Sequence, residues 1–373
     1  MRKRAYLLFV LLLIPTILSL DQSCNPLNYV NLSDYNKIYI NNSLNSALPL
    51  ITNCHLIFLS DGFFSGNVFA TYNQTIQLSP NSRFIDNPTF ALHLGFSPEN
   101  ATFFANHTYN TTVIFSKAIN FSHRYSEREA ITLFGKTFFV SSETDTRDIV
   151  LLEGKRDVLN TEDKRIVTIE NKTYTLYLLS AAENSAIIQV TDVTGKNEIE
   201  EIYEDKLEEI NDLFIEVVAT QNGVALIIIV SRIMTLSDGK PVFLKDEEIK
   251  GTLAEFGTGN PNNLTSLTIS IFPQKTDKES IRIGESYLDP IYKTFQLFFS
   301  GINNDGKVYS NVLFEELTQK CASQWILEQK WSLCENSLQY KYWIDTNDCN
   351  NQSSKPNIIN RSCNISDNNL SEK

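Results

Sequence analysis

Apolar residues in this chain come in short runs, many with a repeat of two, separated by Asn, Ser, Gly and Pro. That spacing belongs to strands with one buried face. From Thr173 to Leu179, Tyr174, Leu176 and Leu178 fall on one side and Thr173, Thr175 and Tyr177 on the other. With Ile166 to Glu170 and the connection Asn171-Lys172, this predicts a hairpin. A second is predicted where Ile131 to Phe134 and Thr137 to Val140 flank Gly135-Lys136. A third is predicted where Leu213 to Ala219 and Val224 to Ile233 flank Gln221-Asn222-Gly223, a strong turn signal. Ile149 to Leu152 and Ala186 to Val190 add further strands. Nearer the start, Ile38 to Ile40, Leu56 to Leu59, Val68 to Ala70 and Ala91 to Leu94 have strand composition, with a turn signal at Asp61-Gly62. One stretch differs. Ile199, Ile202, Leu207 and Ile210 recur at roughly helical spacing within Glu198 to Asp212, which predicts a short amphipathic helix whose acidic residues form its solvated face.

The chain opens on Arg2, Lys3 and Arg4, and Ala5 to Leu20 is then apolar or small until Asp21. This is the layout of a secretory signal peptide, although only Ser19 meets the small-residue rule for cleavage, and an uncleaved anchor is the alternative. The stretch is shorter than the roughly 18–20 residues that cross a bilayer comfortably. Val224 to Val230 is shorter still and reads as a buried strand, so no transmembrane anchor is expected after signal removal.

An exported chain changes how the cysteines are read. Cys24, Cys54, Cys321, Cys334, Cys349 and Cys363 are an even set, two near the start and four near the end, and are disulfide candidates. Cys24 and Cys54 are the only candidates for pairing within the N-terminal part, and closing that loop would add about 3–4 kcal/mol. Sequons occur at Asn31, Asn41, Asn73, Asn100, Asn106, Asn110, Asn120, Asn171, Asn263, Asn351, Asn360, Asn364 and Asn369. They are more than the asparagine content alone predicts and are glycosylation candidates.

The formal charge of −12 lacks the basic footprint of a nucleic-acid binder. His55, His93, His107 and His123 are the four histidines, and neither H-E-x-x-H nor G-x-S-x-G is present. His93 is expected to pack within a strand and His107, inside a sequon, to face solvent. No carboxylate stands out as half of a catalytic pair, and no cofactor or metal is expected. Calcium has weak support from the oxygens of Asn303-Asn304-Asp305-Gly306, but the full binding loop is missing and a hairpin turn is the favoured reading.

Two segments resemble known families. The central region resembles archaeal surface-layer proteins of small-genome archaea, through Ile131 to Val140, Thr173 to Leu178, Leu236-Ser237-Asp238-Gly239, and Ile283 to Pro290 running into Phe295 to Gly301. In that family a similar Leu-Asp-Pro followed by an alternating strand and Gly closes a β domain. The resemblance covers residues 115–302 and implies a β-rich cell-envelope protein without enzymatic activity. The lattice-forming members are longer and continue into a second large β region, so a protein associated with the layer is the alternative. The C-terminal segment resembles a thrombospondin type 1 repeat through Cys321, Trp325, Trp331, Cys334, Gln339, Lys341, Cys349 and Cys363. Such repeats stack Trp with basic side chains, Lys341 here standing where Arg is usual. Leu327 and Trp343 occupy positions where two further cysteines would be expected, so one disulfide of the repeat would be absent. Such repeats bind glycans or extracellular proteins, which makes Trp325, Trp331 and Lys341 possible ligand contacts; a stapled end cap is the plainer reading.

The expected architecture is mainly β: tandem sandwich-like domains with one short helix, then a small disulfide-rich module. The segments are a signal peptide at 1–20, an N-terminal β domain at 21–118, a surface-layer-like β domain at 119–302 and a linker at 303–319. A thrombospondin-like module at 320–363 and a disordered tail at 364–373 follow. The expected function is a structural component of a cell-surface layer, or a protein associated with one. An adhesin or glycan-binding protein acting through the C-terminal module is the alternative. Expected partners are other envelope proteins or copies of the chain itself, and glycans, at the cell surface.

Overall fold

The computed structural model describes residues 26–86, 89–95, 107–169, 172–272 and 279–317, with short stretches at 325–327, 338–341, 343–345 and 359–362. It is mainly β and built from antiparallel sheets. The signal segment, the polar tail, Cys24, Cys321, Cys334, Cys349, Cys363, Trp331, Asn100, Asn106, Asn171, Asn351, Asn364 and Asn369 lie outside the described residues.

Two long strands organise the centre. Asp148–Asn160 and Val224–Ser237 pair antiparallel along their length. Ala225, Ile227 and Ile229 enter one core, while Ile228 and Val230 enter another on the opposite face. Both faces are covered, which explains an unbroken apolar run where a half-exposed strand would alternate. Opposite Glu153 and Gly154 the register shifts and Ser231 is the extra residue of a bulge. The insertion changes the phase, so Met234 and Leu236 continue the face that Ile227 and Ile229 began. Only glycine fits opposite it: a Cβ on Gly154 would lie 2.3 Å from the Ile229 carbonyl oxygen.

Beyond one end of the bulge a four-stranded sheet covers this face, in the order Lys164–Ile169, Lys172–Ala182, Ser185–Asp192, Asn197–Tyr203. Tyr174, Leu176, Leu178, Ile188, Val190 and Ile202 pack there against Leu159, Ile215, Val217, Ile227 and Ile229. Beyond the other end, Ile149, Leu151, Met234 and Leu236 belong to a larger core that runs from Val30 to Phe314. A six-stranded sheet with central strands Leu264–Ile271, Tyr109–Ile119 and Phe69–Leu78 contributes to it. So does a five-stranded sheet in which Val308–Glu316 pairs with Tyr29–Asn31, Ile38–Tyr39 and Phe295–Asn304. The two sheets meet where the Tyr109 ring lies 5.9 Å from that of Phe295 and 5.8 Å from that of Phe314.

The predicted hairpins form, with local adjustments. Asn222 and Gly223 both take positive φ between Leu213–Gln221 and Val224–Ser237, as a two-residue turn of matching twist requires. The turn between Ala130–Leu133 and Lys136–Val140 is Phe134-Gly135, one residue earlier than expected. Phe134 is held at positive φ because Gln74 Oε1 accepts its N–H at 2.7 Å and Thr294 Oγ1 donates to its carbonyl at 2.5 Å. Asn303 to Gly306 joins two paired strands as a hairpin.

Other expectations are corrected. Glu198 to Asp212 is not a helix: Asn197–Tyr203 and Leu207–Ile210 are strands in different sheets, separated at Asp205, which has positive φ. Leu56 to Leu59 is not a strand: Ile57–Leu59 is a single 3-10 turn. Gly62 opens the strand Gly62–Ser65 instead of making a turn. The 303–319 segment is no linker, since Val308–Glu316 is the most connected strand of the five-stranded sheet. The boundary expected at 118/119 falls within Tyr109–Ile119, and residues from both sides of it share the larger core.

Candidate interaction surfaces

Charged groups inside the fold are engaged by hydrogen-bond donors or by opposite charges. Asp289, of the Leu-Asp-Pro segment, is fully buried. Its Oδ1 accepts from the backbone N–H of Ile291 at 3.0 Å and of Tyr292 at 2.6 Å, and its Oδ2 accepts from the Tyr109 hydroxyl at 2.7 Å. Burial pushes this carboxyl above its ordinary range, against the pull of those donors. The same burial, with the nearby carboxylate, pushes the Tyr109 hydroxyl up. The segment thus fastens the turn before Phe295–Asn304 to the six-stranded sheet.

At the junction of the two cores, Glu153 meets Lys136 at 2.6 Å and Arg232 Nε at 2.6 Å, and Arg232 also donates to the Ile291 carbonyl at 2.9 Å. The three charges sit beside the bulge, where the chain changes phase. On the opposite face Glu216 is fully buried 3.3 Å from Arg128 Nε, and Arg128 also pairs with Asp205. Burial raises the Glu216 carboxyl, while Arg128 and then Ser142 oppose the shift.

The histidines are dispersed. His55 accepts the Thr52 N–H at 3.0 Å, and burial lowers its affinity for a proton. His93 is half-buried in the strand Phe90–His93. His107, expected in solvent, is half-buried with its ring 6.3 Å from that of Phe272, and His123 accepts the Tyr125 N–H. Among the described residues no three His, Cys, Asp or Glu side chains form a group that could hold a metal ion. Asp305 forms an ion pair with Lys37, which lowers the carboxyl of Asp305 and raises the ammonium of Lys37. An open cleft of about 450 Å³ is lined by Asp86, Thr89, Phe90, Arg282 and Ile283.

The sequons divide by geometry. Asn41, Asn73 and Asn263 are exposed. Asn73 lies on the solvent face of the six-stranded sheet, opposite the exposed Ile114. Asn31 is half-buried and bonded to Asp34, Asn311 and Ser33, and the Asn120 side chain accepts from Ser122. Asn110 sits mid-sheet with its side-chain oxygen buried. Asn360 lies in the strand Ile359–Ser362.

Cys54 is disulfide-bonded. Leu27 pairs with Leu56 in a parallel bridge, so the residues following Cys24 and those following Cys54 run side by side. In the C-terminal segment Trp325–Leu327 pairs with Trp343–Asp345, which places Leu327 opposite Trp343. Lys341 ends the strand Leu338–Lys341, opposite Ile359. Trp325 and Lys341 therefore belong to different two-stranded sheets.

Sequence reasoning missed the two edges of the four-stranded sheet. Lys164 and Arg165 lie on one edge strand, and Glu198, Glu200 and Glu201 on the other. The sequence carried no clear repeat of two there, because Ile and Glu occur on both faces of Asn197–Tyr203. No helix among the described residues is long and apolar enough to cross a membrane. Neither a family model nor a curated protein matches the chain.

Proposed function

We propose that the protein is a non-enzymatic structural component of a cell-surface layer, or a close associate of one. The observation that carries this reading is the position of the Leu-Asp-Pro segment, the most specific part of the surface-layer resemblance. Asp289 joins its own turn, through the N–H groups of Ile291 and Tyr292, to Tyr109 of the six-stranded sheet by buried hydrogen bonds, in keeping with a motif that closes a β domain. The exposed sequons Asn41, Asn73 and Asn263 and the disulfide at Cys54 suit an extracellular surface. Sheet faces and strand edges, more than any enclosed cavity, are what such a molecule offers its neighbours. The test is to fractionate cells and quantify the chain in isolated envelopes. A structural component will be abundant there and its sequons occupied; a chain that is scarce in the envelope, or confined to the medium, overturns the reading.

The second reading is an adhesin or glycan-binding protein acting through the C-terminal module. It is favoured by the register that sets Leu327 opposite Trp343, the two positions where the thrombospondin resemblance lacks a cysteine pair. Glycan-array binding by the full chain, abolished by Trp325→Ala, would support it.

A further inference from the structure

The four-stranded sheet ends in two strands of opposite charge. Among the described residues Lys164–Ile169 pairs only with Lys172–Ala182, and Asn197–Tyr203 only with Ser185–Asp192, so each is an edge strand of this sheet. Charge on an edge strand ordinarily keeps copies apart. Here it does so only for like edges. The basic edge repels another basic edge and the acidic edge another acidic edge, while a basic edge facing an acidic one is attractive.

We propose that these edges join one copy of this chain to the next, head to tail, by continuing the four-stranded sheet. The inference rests on the structural reading above for its biological setting and supplies its partner, a second copy. The strands of the sheet are antiparallel throughout. Translating one copy therefore brings its Lys164–Ile169 strand antiparallel to the neighbour's Asn197–Tyr203 strand. One register satisfies the side chains of both. Setting Ile166 against Ile199 joins two apolar residues that are 42% and 52% exposed in the single chain. The same register sets Lys164 against Glu201 on the outer face, Arg165 against Glu200 on the inner face, and Thr168 against Asn197. A slip of two residues in one direction places Ile166 against Glu201, and in the other against Asn197, and both lose the apolar pair.

The neighbouring charges are compatible with this joint. Lys164 lies over the Tyr177 ring, Arg165 is 3.4 Å from Asp157, and Glu201 accepts from Ser185, so the side chains are oriented before any copy arrives. Glu198 is already engaged by Lys196 and by the Asn211 N–H, and would face the uncharged Val167. Because the two surfaces differ, the joint is heterologous and leaves a free edge at each end of the assembly, so copies add without closing a dimer.

The test uses the purified full chain in sedimentation velocity and electron microscopy, at low and high salt. Two charge-reversed variants are made, Lys164→Glu/Arg165→Glu and Glu200→Lys/Glu201→Lys. Circular dichroism and thermal unfolding check their folding. Ile199→Lys, at an exposed position, serves as a milder variant should a double substitution misfold. The wild type is expected to form concentration-dependent linear oligomers that weaken with salt. Each reversed variant is expected to associate about tenfold or more less tightly, because two attractive pairs become repulsive. An equal mixture of the two should recover assembly, since each then offers an edge complementary to the other. A wild type that stays monomeric, reversals without effect, or a mixture that fails to recover each overturns the joint. Assembly insensitive to the reversals removes this joint and leaves the structural reading standing. Absence of the chain from cell envelopes removes that reading and leaves the joint standing.

Discussion

Replacing Asp289 by alanine should destabilise the larger core more than any conservative change at the same place. The substitution strips the acceptor from three buried donors: the N–H groups of Ile291 and Tyr292 and the hydroxyl of Tyr109. An unsatisfied buried donor costs about 1–3 kcal/mol, and relief of the carboxyl's own burial offsets part of the sum. The net expectation is a loss of about 3–5 kcal/mol. Asp289→Asn keeps an acceptor oxygen for the two backbone donors, and the Tyr109 hydroxyl can turn to accept from the new amide, so about 1–2 kcal/mol should be lost. Urea titration followed by circular dichroism measures both. A cycle with Tyr109→Phe should give a coupling of about 1–2 kcal/mol for the Tyr109–Asp289 contact. A loss below about 1 kcal/mol for alanine, or equal losses for alanine and asparagine, would refute the view that the three hydrogen bonds set this segment's stability.

Gly154→Ala pushes a Cβ against the Ile229 carbonyl at the bulge and should cost about 2–4 kcal/mol by the same assay, whereas Gly195→Ala, with open space around it, should cost less. Burial holds Asp289 and Glu216 above the ordinary carboxylate range, so their contribution is complete below the unfolded value and lost as pH rises through the folded one. Asp145 and Asp192, lowered by hydrogen bonds from neighbouring groups, act in the opposite direction; comparing melting temperatures of wild type and Glu216→Gln from about pH 4 upward isolates the Glu216 part, which should flatten in the variant. Mass spectrometry of protein from its own cells should find glycans at Asn41, Asn73 and Asn263 and none at Asn110, whose side-chain oxygen is buried; a sugar at Asn110 would contradict the placement of Tyr109–Ile119 within its sheet.

Local alternation was legible wherever one face of a strand is covered and the other wet. Tyr174, Leu176 and Leu178 are buried as their spacing predicted, and Asn222-Gly223 turns the chain where its residue types require. It failed where an edge strand needs few apolar residues. In Asn197–Tyr203 only Ile202 is buried, so Ile199 and Ile202 mimicked a helical repeat although Ile199 is solvent-exposed. The expected domain limits failed for another reason: sheet partners are distant in sequence. Tyr109–Ile119 lies between Phe69–Leu78 and Leu264–Ile271, a relation no window of residues contains. Val308–Glu316 does alternate, burying Ser310, Val312 and Phe314, but the resemblance that closes a β domain at Gly301 set the expected limit before it. The charged edges stayed hidden because their meaning depends on strand order, and Lys164 is separated from Glu201 by the two middle strands of the sheet.

The core beneath the four-stranded sheet and the larger core differ in when they can exist. The smaller one draws every member from Leu159 to Ile229, a continuous length of chain, and its hairpins close between near neighbours. The larger one is completed only when Tyr29–Asn31 pairs with Val308–Glu316, nearly a whole chain length away. Ordering loops of that span slows folding. A chain emerging in order can therefore complete the inner unit while its own beginning still waits, unpaired, for the last strands of the larger core. The long strands Asp148–Asn160 and Val224–Ser237 then serve as a preformed template, since the far half of each already stands in register when the later sheets assemble on it.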